Sequence, residues 1–169
     1  LKAAGYDAII IAGKAAKPVY LWINDGKAEL RDASHLWGKT TGESQALIRQ
    51  ELGDSTIRTA QIGPAGEKMV RYACILNDLS HAAGRTGMGA VMGSKNLKAI
   101  ACRGHNHPPV ADAETVKKLA KWLVDTVETM NKGMYDQGTA GLLFALHRSG
   151  GLPTRNFQMS QFEEGVGKI

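Results

Sequence analysis

HAAGRTGMGAVMGSKNLKAI, spanning His81–Ile100, sets Gly84, Gly87, Gly89 and Gly93 ahead of an apolar run from Leu97 to Cys102. Glycine lets backbone N–H groups approach a ligand closely, because no Cβ stands in the way. Arg85, Lys95, Lys98 and Arg103 meet no Asp or Glu anywhere between Leu79 and Val110. Unopposed cations beside accessible backbone amides describe a surface that holds an anion, and a phosphorylated cofactor fits that description. Glycines also serve turns and tight packing, so a purely structural loop is the plainer reading of the same residues.

Two familiar phosphate loops do not fit this stretch. Gly84-x-x-Gly87-x-Gly89 reverses the dinucleotide fingerprint, and no clear strand leads into it. Gly89-x-x-x-Gly93-Ser94-Lys95-Asn96 is one residue short of a P-loop, and Asn96 stands where Ser or Thr would hold Mg²⁺.

Working outward, the elements around the stretch are mixed. Ala8–Ala12 is a short apolar run between Gly5 and Gly13 and reads as a buried strand. Val19–Ile23 and Ala28–Arg31 flank Asn24-Asp25-Gly26-Lys27, and Asp-Gly between such runs predicts a hairpin. Thr40-x-x-Glu43 has the pattern of a capping box, opening a helix that Gly53 stops. Ile57–Ile62 and Leu97–Cys102 read as further strands. Beyond the prolines at 108 and 109 the period changes. Val116, Leu119, Ala120, Leu123, Val124, Val127 and Met130 line one helical face behind Asp112 as N-cap. A second helix is expected from about Thr139 to Ser149, stopped by Gly150. The fold class is therefore α+β: a β-rich domain over residues 1–104, a linker over 105–111 and a helical region over 112–169.

The 169 residues suffice for a real core, burying roughly 70% of the unfolded chain's surface. Residues 1–104 carry 14 Lys/Arg against 9 Asp/Glu, which is the whole of the net +5. Basic runs interleaved with aromatics are missing, so nucleic acid is not the expected partner. No apolar run reaches the length of a membrane span. Cys74 and Cys102 lack the spacing of a metal or disulfide motif and are read as reduced thiols of a cytoplasmic protein. The chain opens on Leu1 and stops at Ile169 in mid-pattern, so it is expected to be a piece of a longer protein.

From Ala82 to Ile100 the residues closely resemble a signature of the aldehyde ferredoxin oxidoreductase family. Ala4-Gly5-Tyr6-Asp7-Ala8-Ile9, Asp32–Gly38, Ile62–Glu67 and Pro153-x-x-Asn156-Phe157-Gln158 resemble further family segments, in family order. The resemblance implies a tungsten or molybdenum enzyme with a bis-pterin cofactor. It places this chain in the later part of the N-terminal β-sheet base and the start of the first helical domain.

By the same resemblance, four positions contact the pterin. Ala82 matches a residue whose backbone carbonyl holds a Mg²⁺ bridging the two pterin phosphates. Gly84 and Arg85 match contact positions by identity, and Arg suits bidentate pairing with phosphate. His81 stands where the family carries Arg, and neutral imidazole donates one hydrogen bond where guanidinium has five donors. The whole enzyme would oxidise an aldehyde to a carboxylate and pass electrons through a 4Fe–4S cluster to a ferredoxin-like acceptor. Catalytic residues and cluster ligands fall outside this chain, which is expected to be inactive alone and to self-associate through exposed strand edges. An aromatic-ring reductase subunit and a non-catalytic cofactor-binding module are the alternatives. Of the other candidates, Lys95 and Lys98 read as solvent-facing charges, Glu67 as a partner for backbone donors at a turn, and His105 with His107 as an exposed linker pair.

Overall fold

The computed structural model describes residues 1–106 and 109–162, which form two compact units divided between Pro109 and Val110. The first is built on a mixed six-stranded sheet. Its strands are β1 (Val19–Asn24), β2 (Lys27–Asp32), β3 (Arg58–Gln61), β4 (Ile75–Asn77), β5 (His81–Ala83) and β6 (Leu97–Arg103), in the order β2-β1-β6-β3-β4-β5. Among these described strands only the β1–β6 pair is parallel.

The Asp25-Gly26 hairpin forms as its sequence predicts. Both residues have positive φ, 44° and 84°, the conformation that lets a two-residue turn follow the strand twist. Helix α1 (Thr41–Leu52) starts on the expected capping box, with Thr40 and Glu43 satisfying each other's backbone N–H, and ends at left-handed Gly53. Its Ile48 packs on Tyr20, Ala99 and Ala101. Successive strand residues face opposite sides, so Leu21 and Ile100 project to the other face. There they meet Ile62, Leu97 and Met92, the last on helix α3 (Met88–Ser94). Burying one aliphatic side chain of this size contributes roughly 1.5–3 kcal/mol.

Ala8–Ala12 is not a strand. Ile10 is 96% exposed, while Ile11 lies half-buried against the Ile62–Met92–Leu97 cluster. Both edges of the sheet belong to other strands, β2 and β5. An apolar run with no neighbour for its backbone N–H groups settles onto the sheet as irregular chain. In this unit β4, β5, helix α2 (Pro64–Glu67) and α3 were not foreseen.

In the second unit, helix α4 (Ala113–Met130) starts on Asp112, whose carboxylate accepts the Thr115 N–H at 2.9 Å. The apolar face is present, but Val116, Leu119, Trp122, Leu123 and Val127 are all exposed. Helix α5 (Lys132–Gln137) follows. The second expected helix splits into a 3₁₀ turn over Gly138–Leu142 and α6 (Leu143–Ser149), capped by left-handed Gly150. Among the described residues no helix is long and apolar enough to cross a membrane.

Tyr20 ties the sheet to the end of α1, its buried hydroxyl donating to Glu51 Oε1 at 2.7 Å. Burial, with the Glu51 charge beside it, pushes the phenol up to about 12. A group whose folded pKa lies above its free value of about 10 stabilises fully below that pH and loses its share as pH rises toward 12. Tyr20→Phe should therefore lose less of its urea midpoint than wild type between pH 8 and pH 11.5. Equal losses in the two proteins would refute the assignment.

Candidate functional site

Strand β5 is the sheet edge, and it delivers His81, Ala82 and Ala83 straight into Gly84-Arg85-Thr86-Gly87, after which α3 begins. A strand does lead into the glycine-rich loop and a helix does follow it, contrary to the sequence reading. Three residues without a period of their own carry no strand signal, and pairing with β4 alone defines β5. The sequence order of the glycines still differs from a dinucleotide loop.

All six residues from His81 to Arg85 and Thr86 are exposed. Ser80 Oγ lies 2.9 Å from His81 Nδ1. The Asn77 side-chain amide donates to the His81 carbonyl at 3.3 Å. Arg85 forms no side-chain hydrogen bond or ion pair among the described residues. The two acids that precede it in sequence are already engaged. Asp78 accepts the Thr59 N–H at 3.0 Å and pairs with Arg58 at 3.4 Å. Glu67 takes Lys98 Nζ at 2.5 Å on one oxygen and the Gly38 N–H at 2.8 Å on the other. Neither of them pairs with Arg85.

The glycines divide sharply by what surrounds them. A Cβ on Gly87 would lie 2.1 Å from the Arg71 carbonyl oxygen, on Gly89 2.5 Å from that of Cys74, and on Gly93 1.9 Å from that of Gly66. These three serve close packing of α3 against α2 and the chain from Arg71 to Cys74. Gly84 has no such excuse. Nothing lies within 4 Å of its would-be Cβ, and its φ is not left-handed. The fold does not require glycine there, so the open space beside it is suited to a ligand.

Thr86 adds strain to this loop. It is β-branched yet holds φ at 67°, a conformation that such residues rarely adopt and that collects at ligand sites.

The remaining candidates fall as follows. Lys98 is not solvent-facing. Its side chain is fully buried, donating to the Lys39 carbonyl at 2.9 Å as well as to Glu67. The cause is a register slip: Val19 faces Leu97 and Tyr20 faces Ala99, leaving Lys98 without a partner on β1. Lys95 Nζ reaches the Gly13 carbonyl at 3.2 Å. Glu67 does hold a backbone donor, as expected, but its second partner in Lys98 was missed. His105 pairs with Asp25, its N–H and Nδ1 at 2.7 and 2.9 Å, while His107 lies outside the described residues. Cys74 and Cys102 are both free and half-buried, and burial pushes the Cys102 thiol up. Among the described residues no three His, Cys, Asp or Glu side chains converge to hold a metal. Any metal here would need backbone oxygens or a ligand's own donors.

Comparison with known proteins agrees with this architecture. Residues 1–104 match the family model for the aldehyde ferredoxin oxidoreductase N-terminal domain. The chain is 46% identical to the tungsten-containing aldehyde ferredoxin oxidoreductase of Thermococcus kodakarensis, over 96% of its own length and 27% of the relative's. To the enzyme of the same name from Pyrococcus furiosus it is 48% identical, over 94% of this chain and 27% of that one. It thus spans about a quarter of the length of these relatives. Among solved structures it is similar to the BamBC active-site complex of benzoyl coenzyme A reductase, in complex with 1,5-dienoyl-CoA. That match has a TM-score of 0.71 and 45% identity, covering 75% of this chain and 19% of the other. The chain belongs to the aldehyde ferredoxin oxidoreductase family, and its sheet unit is of that family's N-terminal type.

Proposed function

We propose that this chain cradles the phosphate end of a bis-pterin carrying tungsten or molybdenum, within a longer oxidoreductase that converts aldehydes to carboxylates. The observation that carries the reading is Gly84, a glycine the fold does not need, exposed between edge strand β5 and an Arg85 without a partner. Gly84 admits the phosphate close to the backbone, and Arg85 pairs with it through its guanidinium fork. The Ala82 carbonyl would contribute to a Mg²⁺ at the phosphates, on a strand whose outer edge no other strand covers among the described residues. His81, tethered to Ser80, would approach the same phosphates as a single donor.

When bound, the metallopterin supplies the two-electron redox centre. This chain's residues bind and orient it, and none of them is assigned a proton transfer. The 4Fe–4S cluster, the ferredoxin-like acceptor and the substrate pocket belong to the reading through the family. The chain alone is not proposed to turn over substrate. Two unpaired cysteines are in keeping with a cytoplasmic setting, and the β2 edge, with Leu30 65% exposed, is a surface for self-association of the isolated chain. The likeness to the benzoyl coenzyme A reductase complex supports a second reading, in which the longer protein reduces an aromatic thioester. Assaying the full-length protein on aldehydes and on aromatic thioesters separates the two.

The site itself is tested by Gly84→Ala in the full-length protein. With nothing within 4 Å of the new Cβ, stability should stay within about 0.5 kcal/mol of wild type. Tungsten or molybdenum retained after purification should fall about tenfold, equivalent to about 1.4 kcal/mol of binding. Full metal content in a normally stable Gly84→Ala protein would remove the cradle.

A further inference from the structure

A second arginine meets the same loop from another part of the chain. The Arg71 carbonyl oxygen and Cα lie 2.1 and 4.0 Å from the position of a Gly87 Cβ, so only a glycine at 87 lets the two backbones touch. One step further along, the Gly89 N–H donates to the Ala73 carbonyl at 2.9 Å. The chain from Arg71 to Cys74 therefore runs against the end of the Gly84–Gly87 loop and is fixed there by backbone contacts. Gly87 is two residues from Arg85, and two residues of chain cover at most about 7 Å. Two long cationic side chains thus start from neighbouring points.

Arg71 is exposed and, like Arg85, forms no side-chain hydrogen bond or ion pair among the described residues. Glu67, the acid nearest to it in sequence, is 5% exposed and already paired with Lys98. In the same stretch Met69 is 58% exposed and Tyr72 82%, Met88 at the start of α3 is 44% exposed, and Lys68 is exposed as well. Two arginines without protein partners, starting from backbone that meets at Gly87, suit a ligand with separated phosphoryl groups.

We infer that Arg71 is a second phosphate-binding residue, taking one phosphoryl group while Arg85 takes another. This inference rests on the cradle proposed above and extends it across Gly87 to a segment that no motif had singled out. The two guanidinium groups divide the ligand's negative charge between them, which a single arginine on the loop cannot do. Arginine suits the role better than lysine because its planar fork meets two phosphate oxygens at once.

The test is a titration of the 169-residue chain with inorganic pyrophosphate, followed through the arginine side-chain Nε–Hε signals in NMR. Arg71 and Arg85 are expected to shift together and saturate at one concentration. Arg71→Ala should weaken pyrophosphate binding about tenfold, with Arg71→Lys recovering only part of the loss. Lys68→Ala, removing a neighbouring exposed charge, should change it little. Movement of Arg85 without Arg71 would overturn the inference and leave the cradle standing. If neither arginine moves, both fail. A loss in Lys68→Ala equal to that in Arg71→Ala would also overturn it, since general positive charge would then suffice. In the full-length protein Arg71→Ala should retain less tungsten or molybdenum at an unchanged melting temperature.

Discussion

Gly93→Ala is expected to destabilise the sheet unit by about 3 kcal/mol or more, the upper range for overpacking a core. The added methyl would stand 1.9 Å from the Gly66 carbonyl oxygen and 3.3 Å from the Glu67 Cα. Those are backbone atoms, which cannot rotate aside as a side chain can. Gly66 is hemmed in reciprocally, its own Cβ position lying 2.9 Å from the Gly89 carbonyl oxygen. Helices α2 and α3 thus touch main chain to main chain, and one methyl must push them apart. Urea unfolding of the variant measures the effect. A midpoint within experimental error of wild type would show that the contact yields, and that the glycine pattern is not a packing lock.

Lys98→Met should cost about 3–5 kcal/mol, because it strands the Glu67 carboxylate in the interior without its cation. The two side chains are 0% and 5% exposed, so water cannot take over the lysine's role. The Lys39 carbonyl would lose a donor as well. Pairing the change with Glu67→Gln should recover a large part of the loss, since the amide oxygen can still accept the Gly38 N–H with no buried charge remaining. Strict additivity of the two single variants in a double-mutant cycle would refute the coupling. The pair holds β6, α2 and the chain at Gly38–Lys39 together. Its loss should therefore also loosen α3, which rests on α2.

What the sequence disclosed follows the range of the forces involved. The Asp25-Gly26 turn and the Thr40–Glu43 capping box depend on residues at most three apart, and both formed as expected. Asp112 and Gly150 mark helix ends by the same local chemistry. β4, β5 and α2 were invisible because three or four residues are too few for any period to register. Ala8–Ala12 misled because an apolar run reports burial, and whether burial takes the form of a strand depends on a vacant sheet edge. Lys98 gave a hint that went unread: a lysine inside the apolar run Leu97–Ala101 must either snorkel out or find an acid. Its acid lies 31 residues away in the chain, beyond any spacing rule. The glycine cluster stood out at once as composition, but its members could not be told apart. Only the surrounding atoms separate Gly84, with open space, from Gly87, Gly89 and Gly93, which are pressed against carbonyl oxygens.

The middle of the sheet has one more implication, for the order of events during synthesis. The one parallel pairing among its described strands joins Val19–Asn24 to Leu97–Arg103, and β3, α2, β4, β5 and α3 all belong to the intervening stretch. Such distant partners meet late, since a large loop must close before their bonds can form. A nascent polypeptide emerging from the ribosome cannot complete this centre until Arg103 has cleared the exit. The Gly84–Gly87 turn is consequently shaped at the end of the unit's assembly, and on the proposed reading a cofactor would load only onto a nearly finished scaffold.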